Sequence, residues 1–154
     1  MKLRLSIYIL VFTVLYSCNS IKTATFDQYS YQQVISLKIE SEDLIDHATA
    51  SYLNYSAEVN DLMLDLKKIV EYEKNKPNNQ ISYAMLKLLA DQNKNLLAGF
   101  FKRWQTKDRL SKVFTTEAKA QIMEIFDLII KYEGDKNKVN QNNIQHYLRD
   151  KYGF

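Results

Sequence analysis

Glycine and proline are almost missing from this chain of 154 residues, and this scarcity constrains its fold more than any other sequence feature. The chain contains only Gly99, Gly134, Gly153 and a single proline, Pro77. Because both residue types interrupt helices and mark turns, a chain with so few of them is expected to form long helices. No alternation of apolar and polar residues typical of a strand lasts more than a few residues. We therefore predict an all-α fold, a bundle of four or five helices.

Apolar residues recur at helical spacing along most of the chain. Between residues 27 and 75, two such stripes are separated by residues 51–56, which include several poor helix formers. A single helix over this stretch would be about 65 Å long, which is too long for a domain of this size, so two helices or a kink are expected. Pro77 marks the clearest break, and Gly134 suits the end of the last main helix. The residues expected to face the core include Leu62, Leu66, Ile122 and Ile125.

The last twenty residues differ in composition from the rest of the chain. Residues 135–143 are rich in Asn, Lys and Gln, which is typical of a linker. The apolar residues that follow, from Ile144 to Tyr152, could form one short amphipathic helix. We therefore divide the chain into a helical bundle domain over residues 27–134 and a polar linker with a short C-terminal helix over residues 135–154.

The first residues have the pattern of an export signal. Lys2 and Arg4 precede a run over residues 5–15 that is apolar except for one serine and one threonine. Spanning a bilayer takes about 20 apolar residues, so this run has the length of a signal-peptide core. The run closes on Leu15-Tyr16-Ser17-Cys18, with a small residue before the only cysteine in the chain.

At this point the chain resembles a bacterial lipoprotein signal, in which the cysteine is lipidated and becomes the mature N-terminus. The resemblance covers the first 18 residues and implies a cleaved signal peptide over residues 1–17, a lipid on Cys18 and a tether over residues 18–26. It also implies a lipid-anchored protein of the cell envelope. Asn19 is not the aspartate that retains such proteins in the inner membrane, so the periplasmic face of the outer membrane is expected. No family resemblance is recognised beyond residue 18.

Removal of the signal changes the chemistry available to the mature chain. Without Lys2 and Arg4, the 21 basic residues become 19 against 18 acidic ones, so overall charge gives no argument for a nucleic-acid partner. With Cys18 committed to the lipid, no cysteine remains for a disulfide, a zinc–thiolate site or a catalytic thiol. Stability is therefore expected to come from packing alone.

The sequence offers little support for a metal site or a catalytic site. Glu40, Asp43 and His47 are spaced to share one helix face, but metal sites in bundles draw Glu-x-x-His pairs from facing helices, and no such pair occurs. We interpret this face as solvated and acidic. Neither a Gly-x-Ser-x-Gly turn nor a glycine-rich phosphate loop is present. We therefore expect no enzyme activity, no metal and no cofactor.

One segment, residues 96–112, combines aromatic and basic residues unusually densely. Three interpretations remain open. Its aromatic residues could be core residues with cations at the rim, in which case Gly99 would let a neighbouring helix approach. Alternatively, the segment could bind a protein or lie on an anionic membrane surface. The residues of this candidate interaction patch are Phe100, Phe101, Lys102, Arg103, Trp104, Lys107 and Arg109.

From these features we expect a lipid-anchored envelope protein that acts as a helical protein-binding module, of which an inhibitor or immunity lipoprotein would be one form. Its expected partners are the membrane, through Cys18, and an envelope protein, but no nucleic acid. The alternative is a small-ligand or cell-wall-binding lipoprotein with a site between helices.

Overall fold

The computed structural model describes residues 23–153, which form an all-α bundle, as predicted. The proposed signal peptide, Cys18 and the first part of the tether lie outside the described residues. No strand occurs between residues 23 and 153. The elements, in chain order, are α1 (Gln28–Asp46), a 3-10 helix (Tyr52–Tyr55), α2 (Ser56–Asn75), α3 (Gln80–Ala90), α4 (Leu97–Lys107), α5 (Lys112–Gly134) and α6 (Lys138–Tyr152).

The stretch from residue 27 to residue 75 forms two helices, which confirms the predicted break. Asp27 begins α1, because its side chain accepts hydrogen bonds from the backbone N–H groups of Tyr29 (2.9 Å) and Ser30 (3.4 Å). The helix ends at Asp46, and the extended backbone of Ser51 leads into the 3-10 helix before α2 begins.

Residues 23–153 form six α-helices, one more than the upper number predicted from the sequence. The apolar stripe after Pro77 divides into α3 and α4, because the chain turns at Asp91. The Asp91 carboxylate accepts a hydrogen bond from the backbone N–H of Asn93 at 2.8 Å, which stabilises the turn.

The C-terminal segment is more ordered than its composition indicates. The linker predicted over residues 135–143 is much shorter, since α6 already begins at Lys138. The Asn137 side chain caps this helix by accepting a hydrogen bond from the backbone N–H three residues later, at 2.8 Å. Ile144 and Leu148 are buried in the common core, and α6 packs against α3 and α5. The segment is therefore part of the bundle.

One core connects the helices. Helix α1 packs on α2 and α5, and α3 also packs on α2 and α5. The four residues predicted to face inward, Leu62, Leu66, Ile122 and Ile125, are all buried. Within residues 23–153, none of the helices is both long enough and apolar enough to cross a membrane.

The bundle has two ends, which we name by their positions. The tether end comprises residues 23–31, 72–82 and 131–140, and the distal end comprises residues 47–55 and 103–114. At the tether end, the backbone N–H of Ala24 donates to the Asn78 carbonyl at 3.1 Å. At the distal end, the backbone N–H of Leu110 donates to the Ala48 carbonyl at 2.9 Å. The length of α1 separates the two ends by about 28 Å.

Candidate functional site

The aromatic half of the predicted interaction patch is not on the surface. Phe100, Phe101 and Trp104 are at most 3% exposed and belong to the hydrophobic core. They occupy the inward side of α4, because residues three or four positions apart share one helix face. These three residues are therefore not exposed anchors for a partner, which agrees with the first of the three interpretations, core residues with cations at the rim.

Trp104 fixes α4 to the distal end. Its indole Nε1–H donates a hydrogen bond to the Ala50 carbonyl at 3.1 Å, so the buried polar atom of the ring is satisfied. The ring meets Tyr52 edge-on, with centroids 5.5 Å apart, and Tyr55 lies 5.8 Å away. The 3-10 helix between α1 and α2 thus forms one wall of the Trp104 site.

Gly99 permits the backbone of another segment to approach α4 closely, but that segment is not the neighbouring helix predicted from the sequence. A Cβ atom at this position would lie 1.8 Å from the backbone carbonyl oxygen of Lys94. The approaching group therefore belongs to the turn before α4, and because it is backbone, it cannot swing aside as a flexible side chain could.

The basic half of the patch is exposed. We call Lys102, Arg103, Lys107 and Arg109 the basic strip, and all four side chains face solvent at or near the distal end. The guanidinium of Arg103 lies over the Phe114 ring, 4.3 Å from its centroid, which holds this cation against α5. Arg109 lies 3.7 Å from the Asp108 carboxylate, an exposed pair that contributes little stability.

The acidic face of α1 is solvated, and the histidine on this face, His47, contacts a tyrosine. His47 Nδ1 lies 3.1 Å from the Tyr55 hydroxyl, and the two rings stack with centroids 4.6 Å apart. The nearest carboxylate oxygen of Asp43 is 3.9 Å from His47 Nε2. Within residues 23–153, no three His, Cys, Asp or Glu side chains converge so that they could hold a metal ion.

A feature that sequence reasoning missed is a layer of buried polar side chains at the tether end. It joins α1, α2, α3 and α5 through charged and hydroxyl groups that are almost completely removed from solvent. We call it the polar layer, and it consists of Ser30, Glu73, Lys76, Asn79, Ser82, Glu133 and Lys136.

One side of the polar layer is centred on Glu73. Its carboxylate accepts short hydrogen bonds from the Ser30 hydroxyl and the Asn79 amide. Lys76 Nζ donates to Ser30 Oγ at 3.1 Å and pairs with Asp27 at 2.8 Å, while remaining 3.9 Å from Glu73. This side therefore connects the start of α1 with the end of α2.

The other side of the layer is centred on Glu133. Its carboxylate accepts a short hydrogen bond from the Ser82 hydroxyl. Its second oxygen lies 2.7 Å from Lys136 Nζ, a close ion pair whose angles do not meet hydrogen-bond geometry. Lys136 also donates to Asn79 Oδ1 at 2.9 Å, which joins the two sides.

Burial and pairing shift the pKa values of this layer in opposite directions. Burial is the largest influence on Glu73 and raises the pKa of its carboxyl. Burial also lowers the pKa of the Lys136 ammonium, and the ion pair with Glu133 only partly offsets this effect. For Lys76, burial is outweighed by the hydrogen bond to Asp27 and by nearby carboxylates, so its pKa is raised.

The contact between Ser30 and Lys76 brings together the two groups of a serine–lysine nucleophile, but their states oppose that chemistry. A lysine activates a serine only when it is neutral and can accept the serine proton. The raised pKa keeps Lys76 protonated, and Ser30 is completely buried. The pair therefore acts as a structural contact in the closed layer.

A sequence signal for the polar layer exists in hindsight. Glu73 follows Ile69 by four positions, and Glu133 follows Ile129 by the same interval, so each glutamate continues an apolar helical stripe. Each is followed three residues later by a lysine. A glutamate that continues a stripe of core residues is predicted to be buried. The lysine three positions after each glutamate is then predicted to be its counter-ion.

A partly enclosed groove lies between α5 and α6. Its floor is apolar, from Leu128, Tyr132 and Ile144, and Asn140 and Tyr147 line its sides. Its volume is ≈ 150 Å³, whereas sites for drug-sized ligands typically measure about 300–1,000 Å³. The cleft would therefore hold only a small group.

No family model, curated protein or solved structure matches this chain. The structural class of the protein is therefore taken from the fold itself. It is an all-α bundle with a buried polar layer at one end and exposed cations at the other.

Proposed function

We propose that this protein is a lipid-anchored helical module of the cell envelope that binds an acidic surface of another envelope protein through the basic strip. The observation that carries the proposal is the separation of the two ends. The described chain begins at the tether end, five residues after Cys18, whereas the basic strip lies at the distal end, about 28 Å away. An anchor at one end would leave the cations free to meet a partner.

The chemistry of the strip supports a protein partner with negative charge. Four exposed cations lie within eight residues of one helix and the loop after it, and Arg103 is already positioned by Phe114. Charge complementarity of this kind mainly speeds association and selects the partner. The buried aromatic residues beneath the strip give it a rigid support. An inhibitor or immunity lipoprotein remains one concrete form of such a module.

The experiment is to capture partners by cross-linking the protein in its native envelope and to compare two variants. In the first, the four residues of the basic strip are changed to Gln. We expect its melting temperature to stay within a few degrees of the wild type, because exposed charges contribute little stability. The cross-linked partner should disappear.

A matched control changes four exposed lysines elsewhere to Gln: Lys67, Lys87, Lys131 and Lys138. It removes the same charge and should keep the partner. An unchanged set of partners after loss of the basic strip would contradict the proposal. Cys18→Ser tests the anchor separately, since lipid label and membrane association should both be lost.

The alternative, a lipoprotein that binds a small ligand between its helices, has weaker support. The cleft between α5 and α6 is one place for such a ligand, but its volume is ≈ 150 Å³, below the range of typical ligand sites. Only a ligand of a few heavy atoms would fit without movement of α6.

A further inference from the structure

The tether end carries four exposed apolar side chains that are not part of the core. We call them the apolar rim: Phe26 (57% exposed), Tyr29 (48%), Tyr72 (43%) and Val139 (68%). Three of its four members are aromatic, and they come from the segment before α1, from α1 and from α2. Val139 is in the first turn of α6.

A ring contact and polar contacts hold two of its aromatic side chains, Tyr29 and Tyr72, in place. Tyr29 and Tyr72 meet edge to face, with centroids 4.9 Å apart. The Tyr72 hydroxyl donates to Asp27 at 2.8 Å, and Lys76 lies over the Tyr72 ring, 5.8 Å from its centroid. The rim is thus an organised surface, whereas the exposed Leu53 and Val113 of the distal end are aliphatic residues without such ring contacts.

The position of the rim is set by the start of the described chain. Ala24 is bonded to the Asn78 carbonyl, and the Thr23 hydroxyl donates to the Lys136 carbonyl at 3.3 Å. Five residues from Cys18 to Thr23 can span at most about 18 Å. A lipid on Cys18 would therefore keep the tether end close to the bilayer.

We propose that the apolar rim docks on the lipid bilayer, so that the bundle stands on the membrane with its distal end outward. Tyrosine and phenylalanine suit this position, because their rings enter the headgroup region while polar tips stay hydrated. The inference rests on the proposed lipid anchor and adds a second contact to it. A second contact of this kind adds apolar surface that is buried in the headgroup region to the contribution of the anchor.

The charges around the rim indicate a zwitterionic surface rather than an anionic one. Over the tether end as a whole, five lysines are balanced by four carboxylates, and the exposed Lys68 and Lys74 are paired with Asp65 at 2.6 Å and with Glu71 at 3.4 Å. Such pairs leave little net charge to attract acidic lipids. Docking should therefore depend weakly on salt, in contrast to binding by a basic cluster.

The test uses tryptophan fluorescence in the full-length protein reconstituted into phosphatidylcholine vesicles, with and without brominated acyl chains that quench nearby indoles. The wild type serves as the distal probe, because its single tryptophan, Trp104, is buried at the distal end. Tyr29→Trp adds a probe inside the rim and keeps its aromatic character. We expect roughly twofold quenching of the added emission if the ring enters the headgroup region, and none for Trp104.

Two paired changes in the Tyr29→Trp background separate docking from simple tethering. Phe26→Ser with Val139→Ser removes rim surface, and the quenching should fall to the wild-type level. Leu53→Ser with Val113→Ser removes apolar residues of equal or greater exposure at the distal end, and quenching should persist. Equal quenching in both backgrounds, or none in Tyr29→Trp itself, would overturn the docking inference.

Two further measurements complete the test: the salt dependence of the quenching and the mass of the N-terminal peptide. Quenching should be unchanged between about 0.05 M and 0.5 M salt, where charge screening becomes strong, and a large loss at high salt would contradict docking on a zwitterionic surface. The mass of the N-terminal peptide reports whether Cys18 carries a lipid. If it does not, the proposed anchor fails, and the docking inference, which rests on it, is overturned as well. Quenching that is absent in a lipidated Tyr29→Trp protein overturns the docking inference alone, so the two failures are distinguished.

Discussion

Asp27 is the residue at which three roles coincide. It caps α1, it accepts a hydrogen bond from the Tyr72 hydroxyl, and it pairs with Lys76. Burial alone would raise the pKa of its carboxyl, but the hydrogen bonds from Lys76 and Tyr72 outweigh burial and hold the pKa well below its ordinary value of 3.8. A carboxyl with a lowered folded-state pKa stabilises the protein above its unfolded-state pKa, and this stabilisation is lost as the pH falls.

The first prediction concerns the charge of Asp27. Asp27→Asn keeps a good capping residue but removes the charge-assisted bonds, so the free energy of unfolding at pH 7 should fall by about 1–3 kcal/mol. The difference between variant and wild type should shrink as the pH falls below about 4, because the Asp27 carboxyl of the unfolded chain then takes up a proton while the folded one, with its lowered pKa, stays ionised, so unfolding of the wild type becomes more favourable. Urea unfolding at pH 7, 4 and 2.5 measures both effects.

Asp43→Asn is the matched control on the same helix, since Asp43 is largely exposed and makes only a distant contact with His47. It should change stability by less than about 0.5 kcal/mol at each pH. A constant deficit of Asp27→Asn from pH 7 to pH 2.5 would show that the charge is not what stabilises this end of the bundle.

At the scale of the elements, the polar layer determines how four helices meet. An apolar contact can slide by one turn at little cost, but hydroxyl and charged groups that satisfy one another in a buried layer do so in one register only. Glu133 at the end of α5 is bonded to Ser82 of α3, and Lys136 reaches Asn79 before α3. The layer therefore sets the register of α3 against α5.

The second prediction follows from the cost of an unpaired buried charge. Lys136→Met leaves Glu133 without its cation and should destabilise the protein by about 3–5 kcal/mol. Adding Glu133→Gln removes the second charge and keeps an acceptor for the Ser82 hydroxyl. The double variant should therefore be more stable than Lys136→Met alone.

A double-mutant cycle on urea unfolding free energies measures this coupling and needs Glu133→Gln as its fourth protein. If the two single losses simply add in the double variant, the ion pair contributes nothing of its own. In that case hydrogen bonds to Ser82 and Asn79 alone would account for the cost.

For the whole molecule, one core reaches from α1 to α6. The buried residues form a single cluster that includes Trp104 at the distal end and Leu148 of α6. Small single-domain proteins of this kind unfold cooperatively. A cavity anywhere in the cluster should therefore lower the stability of the entire bundle.

The third prediction compares two leucines two positions apart on α2. Leu66 is completely buried, whereas Leu64 is 50% exposed. Leu66→Ala should cost about 2–5 kcal/mol, because it removes buried methyl groups and leaves a cavity. Leu64→Ala should cost less than about 1 kcal/mol, since little buried surface is lost.

Thermal unfolding followed by helical circular dichroism and by Trp104 fluorescence tests the cooperativity. Leu66→Ala should lower both transitions together, although Trp104 lies at the distal end. Two separated transitions would show that the bundle consists of independent parts.

The amino-acid sequence by itself determined which segments are helical and where several of them stop. Scarce glycine and proline, together with apolar residues at helical spacing, leave few alternatives to helices, because these are local properties of the backbone. The break before α2 and the stop at Pro77 were predictable for the same reason. The start of α6 was not, since a capping residue such as Asn137 outweighed a polar composition typical of linkers.

Only the tertiary structure decided what each helix face meets. An aromatic and basic segment has the same spacing whether its rings bind a partner or fill a core, and Trp104 is buried because the residues between α1 and α2 close over it. The polar layer likewise needs groups from four helices, and no single segment contains it. The burial of a side chain and its pairing with a counter-ion depend on residues that are distant in sequence and meet only in the fold. The spacing of residues along the chain does not encode them.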